Sequence, residues 1–300
     1  MRAASKRLFQ HLIILIQLVV IKTKIDWGNI IIATKRGLYQ LKDKKLRIIQ
    51  LGEFYGVTIV DDKLYVLNKV SEKEAHIVAY QLLNNKIQKQ SRNIVIHGLD
   101  EAIHQIDFFN NTLYLTDTHN NRILAFTKKG KKINQYYPLG EINNGRGSPN
   151  YGHINSIFSD LKHVYLVCHN NSVHSGKTSE ILKTDMEFNV LNKITTSSQS
   201  AHNVILYQGK LYHCDSLNSL LKVDDKPLFQ TMEFTRGLAM TNDKIIVGDS
   251  NYAKRKDRSK SKGSIYLLNH DGKLIEKLMI PGMIQEIRVL GEKDYGLSSS

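Results

Sequence analysis

Histidines recur at a fixed interval in the middle of the chain, at His104, His153 and His202, each 49 residues after the one before. Neutral imidazole binds zinc and iron, and it also serves as a general acid or base. Three imidazoles that leave one coordination position open would suit a metal that activates water or polarises a carbonyl group. The interval therefore predicts a site built from three equivalent units, with zinc or another divalent metal as the candidate cofactor.

The same position is polar in the other copies of the segment that carries these histidines. It lies nine residues before the anchor position of each copy, and it is filled by Tyr55, His104, Asn155, His202, Arg236 and Gln285. One extra residue in the third copy allows His153 to take the place of Asn155. We expect Tyr55, Asn155, Arg236 and Gln285 to bind ligand, and His104, His153, His202 and Arg236 to be the catalytic candidates. The alternative is that these side chains line a watery channel or hydrogen-bond loop backbone.

The segments that must position these residues form a repeat. Each copy reads as an apolar strand, a short turn rich in Asn, Asp or Gly, and a second apolar strand, as in HQIDFFNNTLYLTDT from His104. Six copies follow one another at an average spacing of about 46 residues, and no stretch keeps a helical period. This pattern predicts an all-β fold, a six-bladed β-propeller of four-stranded antiparallel blades.

The two ends of the chain are complementary. The last copy ends at Ser300 after two predicted strands, and the segment 29–51 supplies IIIAT, GLYQL and LRIIQ. We therefore expect one blade to be closed by strands from both termini, which removes two open sheet edges. The expected domain organisation is an N-terminal apolar extension over 1–25 and a single propeller domain over 26–300.

The N-terminal extension has three interpretations. Basic residues precede an apolar run from Leu12 to Ile21, which at about ten residues is too short to span a bilayer as a helix. It resembles the core of a signal peptide, but Lys22, Thr23 and Lys24 follow instead of a small-residue cleavage site. A secretory signal or anchor, a buried strand, and an extension outside the fold all stay open. The localisation, cytoplasmic or exported, depends on which of them holds.

The charge balance favours anionic partners. The formal net charge is +14, and the segment 251–263 carries a run of basic residues that includes Lys254 and Arg255. We expect these two residues to bind ligand, unless the segment is only a solvated hairpin tip. No stretch interleaves basic residues with aromatic ones, which argues against nucleic acid. With two cysteines the chain has no disulfide framework.

A second polar set follows the second strand of each copy. Its members are Asn68, Asp117, His169 or Cys168, Asp215, Asp249 and Ser298. Asp and Ser after a strand commonly form Asx and ST turns, so we expect turns here more than a ligand shell. Cys168 and Cys214 are expected to be buried rather than nucleophilic, because a reactive thiolate needs a paired base. We expect the loops around 143–151, 169–178 and 251–263 to project at one mouth.

The run DTHNNRILAF, Asp117 to Phe126, after the strand residues Leu113 to Thr116, resembles the NHL repeat. The pattern there is a strand ending in Asp, a turn with Asn-x-Arg, and a strand Ile-x-x-Phe; other copies keep Asp-Ser but lose Asn-x-Arg. The second half of the chain is similar to a group of uncharacterised bacterial propeller proteins. The resemblance implies a six-bladed propeller, a fold that serves binding modules, lactonases, strictosidine synthase-like enzymes and a hydroxyglycine lyase.

Two functions of different classes follow, and a third hypothesis, binding of RNA or another anionic polymer, rests on the net charge and the basic loop from Lys254 to Lys262. The first is a propeller, expected to be monomeric, that binds a small molecule, saccharide or protein at a polar, histidine-rich axial mouth beside a basic loop. The second is a metal-dependent hydrolase or lyase of the lactonase, strictosidine synthase-like or hydroxyglycine lyase type. In the second, His104, His153 and His202 would hold the metal or exchange protons.

Overall fold

The computed structural model describes residues 26–140, 145–148, 151–252 and 260–298. The predicted extension over 1–25 and the ligand candidates Lys254 and Arg255 lie outside these residues. No helix in the described part of the chain is long and apolar enough to cross a membrane.

Strands make up nearly all of the described secondary structure, beside a 3₁₀ turn over Lys89–Ser91 and the short helix α1 over Ser172–Ser175. The first twelve strands are β1 (Asn29–Thr34), β2 (Gly37–Lys42), β3 (Lys45–Leu51), β4 (Glu53–Val60), β5 (Lys63–Lys69), β6 (Glu74–Leu83), β7 (Lys86–Ile87), β8 (Asn93–Asp100), β9 (Ile103–Phe109), β10 (Thr112–Asp117), β11 (Arg122–Phe126) and β12 (Lys132–Tyr136). The remaining strands are β13 (Ile154–Ser159), β14 (Val164–Cys168), β15 (Glu180–Thr184), β16 (Val190–Thr195), β17 (His202–Tyr207), β18 (Lys210–Asp215), β19 (Leu220–Val223), β20 (Lys226–Gln230), β21 (Phe234–Met240), β22 (Ile245–Ser250), β23 (Lys262–Leu268), β24 (Leu274–Pro281) and β25 (Ile284–Leu290).

The strands form six antiparallel sheets, the blades of a β-propeller. Blade 1 has the order β25-β1-β2-β3, and blade 2 has β4-β5-β6-β8, with the two-residue β7 paired to the far end of β6. Blades 3 to 6 take β9–β12, β13–β16, β17–β20 and β21–β24 in chain order from the axis outward. Each innermost strand contacts the innermost strands of both neighbouring blades, so the ring is closed. The predicted fold is confirmed.

Apolar clusters between neighbouring blades hold the ring together. Among the described residues there are six, one for each pair of adjacent blades. Blades 6 and 1 share Trp27, Ile246 and Ile287, and blades 1 and 2 share Ile31 and Val66. Inner strands are buried on both faces, whereas most residues of the outermost strands β3 and β24 are exposed or partly exposed. Burial on both faces explains why inner strands read as continuous apolar runs.

The two termini close blade 1, as predicted, but the number of strands that each terminus supplies differs from the predicted number. In the described residues the C-terminal segment supplies one strand, β25, which pairs with β1 from Asn29↔Leu290 onward. The second strand predicted around Asp294 is a turn instead, whose carboxylate accepts hydrogen bonds from the amides of Val289 and Gly296, both at 2.8 Å. A side chain that satisfies amides of its own turn holds the chain out of a strand pairing.

Each inner strand contains a β-bulge near its first residues. The pairing register shifts after Phe54, Ile103, Ile154, His202, Thr235 and Ile284, each time against the second strand of the same blade. A bulge adds one unpaired residue and changes the direction of the side chains around it. The polar positions identified in the sequence fall at these bulges, which turn some of them toward the propeller mouth and others into the ring.

Gly56 at the bulge of β4 shows how closely the inner strands approach. A Cβ atom there would lie 2.5 Å from Ile106 N and 2.8 Å from Gln105 Cα, both backbone atoms of the next blade. We expect Gly56→Ala to lower the free energy of unfolding by about 3 kcal/mol, because neighbouring backbone must move. Gly209→Ala is the matched control, since Gly209 has φ +76° but open space around it, which predicts a loss of about 1 kcal/mol from backbone strain alone. Equal losses in urea unfolding would contradict the close approach.

Candidate functional site: the histidine row at the propeller mouth

One mouth of the propeller is lined by a row of rings. The centroid of Tyr55 lies 6.0 Å from that of His104, and His104 lies 5.4 Å from His153. His153 stacks on His169 at 4.4 Å, and His169 lies 5.5 Å from His202. Three of the four imidazoles are the predicted ones, and each comes from a different blade. His169, which directly follows β14, adds a fourth.

Cations stand beside this row. Lys35 Nζ, Lys69 Nζ and Arg236 Cζ lie 5.1, 5.3 and 5.9 Å from the centroid of the Tyr55 ring. Lys35 Nζ is also 3.5 Å from a carboxylate oxygen of Glu53. Positive charges grouped around the negative face of an aromatic ring form a site with positive potential.

Between these residues lies an open cavity of about 300 Å³. Lys35, Lys69 and Arg146 contribute its positive charge, His104 and His153 contribute imidazoles, and Tyr55 and Tyr151 contribute aromatic walls. The carboxylate of Glu101 also lines the cavity, where it forms an ion pair with Lys69. The volume is at the lower end of the range for small-molecule pockets, roughly 300–1,000 Å³.

The environment keeps all four imidazoles neutral at pH 7. Burial lowers the pKa of His104, His153 and His202 well below the ordinary value, and the positive charge of Arg236 lowers it further. Burial and Arg236 lower the pKa of His169 to about 4. Neutral imidazoles add no charge of their own, so the cations around the cavity set the sign of its charge, which favours an anion.

The proton position on His202 follows from its partners. Ser216 Oγ donates to the carbonyl oxygen of Thr235 at 2.6 Å, and it lies 2.8 Å from His202 Nδ1. Because a carbonyl group can only accept, the hydroxyl proton is used there, and Ser216 Oγ must accept the proton of His202 Nδ1. The lone pair of His202 therefore resides on Nε2. In His104 and His169, Nδ1 is buried with no hydrogen-bond partner within the described residues.

Replacing Arg236 with glutamine should raise the pKa of His104, His169 and His202. Glutamine removes the positive charge that opposes protonation, while burial continues to hold the pKa values below the usual one. Long-range proton–nitrogen NMR spectra recorded against pH would show the shift of each titration midpoint. Lys226→Ala, on the exposed outer hairpin of blade 5, is the control. Unchanged midpoints in the Arg236 variant would mean that its charge does not act on the imidazoles.

Two predicted ligand residues lie apart from the cavity. The amide nitrogen of Asn155 donates to the carbonyl oxygen of Ala201 at 2.9 Å, and its oxygen accepts from Ser156 Oγ at 3.0 Å, so this buried side chain connects blades 4 and 5. Gln285 is buried and donates to the carbonyl oxygens of Met283 and Ile284. His153, the alternative to Asn155, is the residue that enters the row.

The aspartates of the second polar set have structural partners. Asp117 accepts from Arg122 Nε at 2.7 Å and from the side-chain amide of Asn120 at 3.0 Å. Asp215 lies 2.9 Å from Lys222 Nζ. Asp249 accepts a 2.7 Å hydrogen bond from the Tyr266 hydroxyl. Each buried carboxylate thus ties the end of a second strand to the third strand of its blade, a structural role beyond the turn that the sequence predicts.

The residues that sequence reasoning missed occupy the next position along the chain. At or just after the end of the second strand of four blades stand Lys35, Lys69, Thr118 and Ser216, and in a fifth blade this place is taken by His169, which the second polar set already included as the alternative to Cys168. All five line the cavity, join the ring row or orient a member of it. Because successive side chains of a strand point to opposite faces, moving the examined position by one residue exchanges the structural aspartates for the mouth residues. The alternation of side-chain directions along a strand was therefore the sequence signal that could have identified the mouth residues.

Neither the cysteines nor a serine–histidine pair forms a nucleophilic site. Cys168 and Cys214 are buried, and burial raises the pKa of both thiols, so they stay protonated. Ser198 Oγ lies 2.8 Å from His213 Nε2, and Asp225 approaches that same nitrogen at 3.7 Å. A catalytic triad needs the carboxylate on the opposite ring nitrogen, Nδ1, so this cluster does not have the required geometry.

The predicted metal site has no direct counterpart in the observed geometry. Within residues 26–140, 145–148, 151–252 and 260–298, no three His, Cys, Asp or Glu side chains are grouped so that they could hold a metal ion. Zinc bound by His104, His153 and His202 stays a prediction, which the metal content of the purified protein would test.

Comparison with known proteins identifies the fold and leaves the function open. No protein-family model matches the chain, and no curated protein matches it in sequence. A chain of the nidogen/laminin complex is 12% identical with a TM-score of 0.63, and the match covers 88% of this chain and 99% of that one. A protein of unknown function from Bacteroides caccae is 10% identical with a TM-score of 0.58, covering 87% and 97%. Aldose sugar dehydrogenase from Streptomyces coelicolor, in its PQQ-bound form, is 13% identical with a TM-score of 0.51, covering 78% and 90%.

Proposed function

We propose that this propeller binds a small anionic ligand at the histidine row, in the cavity lined by Lys35, Lys69 and Arg146. The observation that carries the proposal is the grouping of three cations around one cavity, beside imidazoles that burial keeps neutral. Neutral imidazoles and tyrosine hydroxyls can donate or accept hydrogen bonds, and the cations can neutralise a carboxylate or phosphate group.

The carboxylates at the mouth are each paired with a lysine. A carboxylate oxygen of Glu53 lies 3.5 Å from Lys35 Nζ, and Glu101 forms an ion pair with Lys69. Arg146 is exposed at the cavity wall and can reach a ligand without breaking a buried contact. An arginine contacts carboxylate and phosphate groups with two parallel hydrogen bonds, which gives orientation as well as affinity.

Calorimetric titration with inorganic phosphate, sulfate and citrate at constant ionic strength tests the proposal. We expect saturable binding of at least one of these anions, weakened at least tenfold by Arg146→Ala, since a charge-assisted hydrogen bond contributes about 1.5–3 kcal/mol. Lys226→Ala is the control for a general loss of surface charge. The proposal fails if no anion binds, or if both variants weaken binding equally.

We also infer that blade 3 is an NHL-type unit. The pairing of Asp117 with Arg122, across the turn that precedes β11, supports it, because the NHL pattern places Asp and Arg at these two points. Loss of this pair in Arg122→Ala should affect the stability of blade 3 and leave anion binding at the mouth unchanged.

A further inference from the structure

The cavity beside the histidine row, hereafter the axial cavity, adjoins a second, larger one. The second cavity has a volume of about 700 Å³ and shares Tyr151, Asn171 and His174 with the first. Its outer part reaches Glu180 on β15 and Lys193 on β16, the outermost strand of blade 4. Together the two cavities form one groove, hereafter the blade 4 groove, which runs from the propeller axis toward the rim.

The walls of the groove come from two of the three loops that we expected to project at one mouth. Residues 145–148 and 151–152 precede β13, and residues 170–177, including α1, follow β14. Connections carry binding residues more often than strands do, because they can vary without disturbing the sheet.

The lining of the blade 4 groove is polar, with few apolar groups. Asn171, His174 and Ser175 present an amide, an imidazole and a hydroxyl group, and Leu139 and Tyr151 supply the apolar contacts. A helical peptide would need several apolar anchors in such a groove, and a peptide added as a strand would need a free sheet edge along it. An aromatic ring beside many hydrogen-bonding groups instead suits a sugar, which has an apolar ring face and hydroxyl groups around it.

Two groups in the groove are prepared for hydroxyl groups of a ligand. Ser148 Oγ is buried and has no hydrogen-bond partner among the described residues. Burial raises the pKa of Tyr151 to about 12, so its hydroxyl group stays protonated and can both donate and accept. The Tyr151 ring lies 5.4 Å from that of His153, which places the aromatic wall next to the histidine row.

The charge of the groove continues the charge of the axial cavity. Lys177 and Lys193 line the outer part together with one carboxylate, Glu180. Arg146, Lys35 and Lys69 line the inner part. Positive charge at both ends of a polar groove favours a ligand that carries negative charge on more than one unit.

We propose that the ligand of the mouth is an acidic oligosaccharide of two or more units. This inference rests on the proposed function: one uronate, sulfate or phosphate group occupies the axial cavity, and the adjoining sugar rings follow the blade 4 groove over Tyr151. The axial cavity alone has the volume of one small ligand, and the larger cavity accommodates further linked rings, since ligand pockets span roughly 300–1,000 Å³.

Calorimetric titration of the full chain with oligogalacturonates, oligomannuronates and heparin-derived fragments of one to four units tests the inference. Maltooligosaccharides of equal length are the neutral controls. We expect at least one acidic series to tighten tenfold or more between one and three units, with no binding of the neutral series. The double variant Lys177→Ala/Lys193→Ala should remove this gain and leave affinity for the single unit unchanged, whereas Arg146→Ala should weaken every length.

The possible outcomes separate this inference from the function on which it rests. If small anions bind in a way that depends on Arg146 but no acidic series gains affinity with length, the oligosaccharide inference is wrong and the proposed anion-binding function is supported. A length gain that survives the Lys177/Lys193 variant would also overturn the inference, because the longer ligand would lie elsewhere. If neither small anions nor acidic oligosaccharides bind, both proposals fall.

Discussion

A chain that ends at Met283, and so lacks β25, should not fold into a propeller. β25 is the innermost strand of blade 1, and Ile284, Ile287, Val289 and Leu290 are buried in it. Burying such a side chain contributes about 1.5–3 kcal/mol, so the four together compare with the whole stability of a domain, roughly 5–15 kcal/mol. Their loss also opens the two apolar clusters that flank blade 1.

Circular dichroism and denaturant unfolding would measure the effect. The expected result for the truncated chain is the loss of a cooperative transition, and a synthetic peptide of residues 284–300 added in excess should restore it. The peptide serves as the control, because it returns the missing strand without repairing anything else. A truncated chain that unfolds cooperatively at the denaturant concentration of the full chain would show that β25 is not needed for closure.

Replacing Arg288 with methionine should lower the free energy of unfolding by about 3–5 kcal/mol at pH 7–8, as expected for removing one partner of a buried ion pair. The Arg288 guanidinium lies inside the ring, 3.0 Å from a carboxylate oxygen of Glu286. It also donates to the carbonyl oxygens of Val57 and Leu238. Without it, the buried carboxyl groups nearby lose their positive neighbour.

The loss of stability in the Arg288→Met variant should depend on pH, and the pKa values of the nearby carboxyl groups determine the direction of that dependence. Burial raises the pKa of Glu286 to about 7 and that of Asp107 to about 6, and it raises the pKa of Asp294, while Arg288 lowers all three. A carboxyl group with a raised pKa in the folded state destabilises the protein as pH rises above its unfolded value of about 4, and the variant raises these pKa values further. The deficit should therefore shrink as pH falls from 7 toward 4.

Urea unfolding at pH 5 and pH 8 measures this difference. Arg288→Lys is the charge-conserving control and should lose less than Arg288→Met. The double variant Arg288→Met/Glu286→Gln should regain part of the stability at pH 8, because it removes one buried carboxylate. A deficit that is equal at both pH values would contradict the view that Arg288 acts by neutralising these groups.

Much of the candidate site could be predicted because its residues occupy equivalent places in a repeat. His104 and His202 occupy equivalent positions in the innermost strands of two blades. Because the blades are arranged around one axis, equivalent positions lie at the same mouth. Asn155 and Gln285 occupy the same position by sequence, yet they face into the ring. The bulge in each inner strand decides between these outcomes, and it depends on how two neighbouring strands pair, which a local pattern does not contain.

The sequence by itself determined the number of blades, the strand order within each blade and the closure of blade 1 by both termini. The number of blades and the strand order depend on short apolar segments and turns, which are properties of contiguous residues, and the closure follows from a last copy that is short of strands, which the segment 29–51 supplies. Only the tertiary structure decided that His169 completes the row, that Lys35 and Arg236 face the same tyrosine, and that two cavities join into the blade 4 groove. Lys35 and Arg236 are about 200 residues apart, and they meet only because the closed ring brings the first and sixth blades together around its axis.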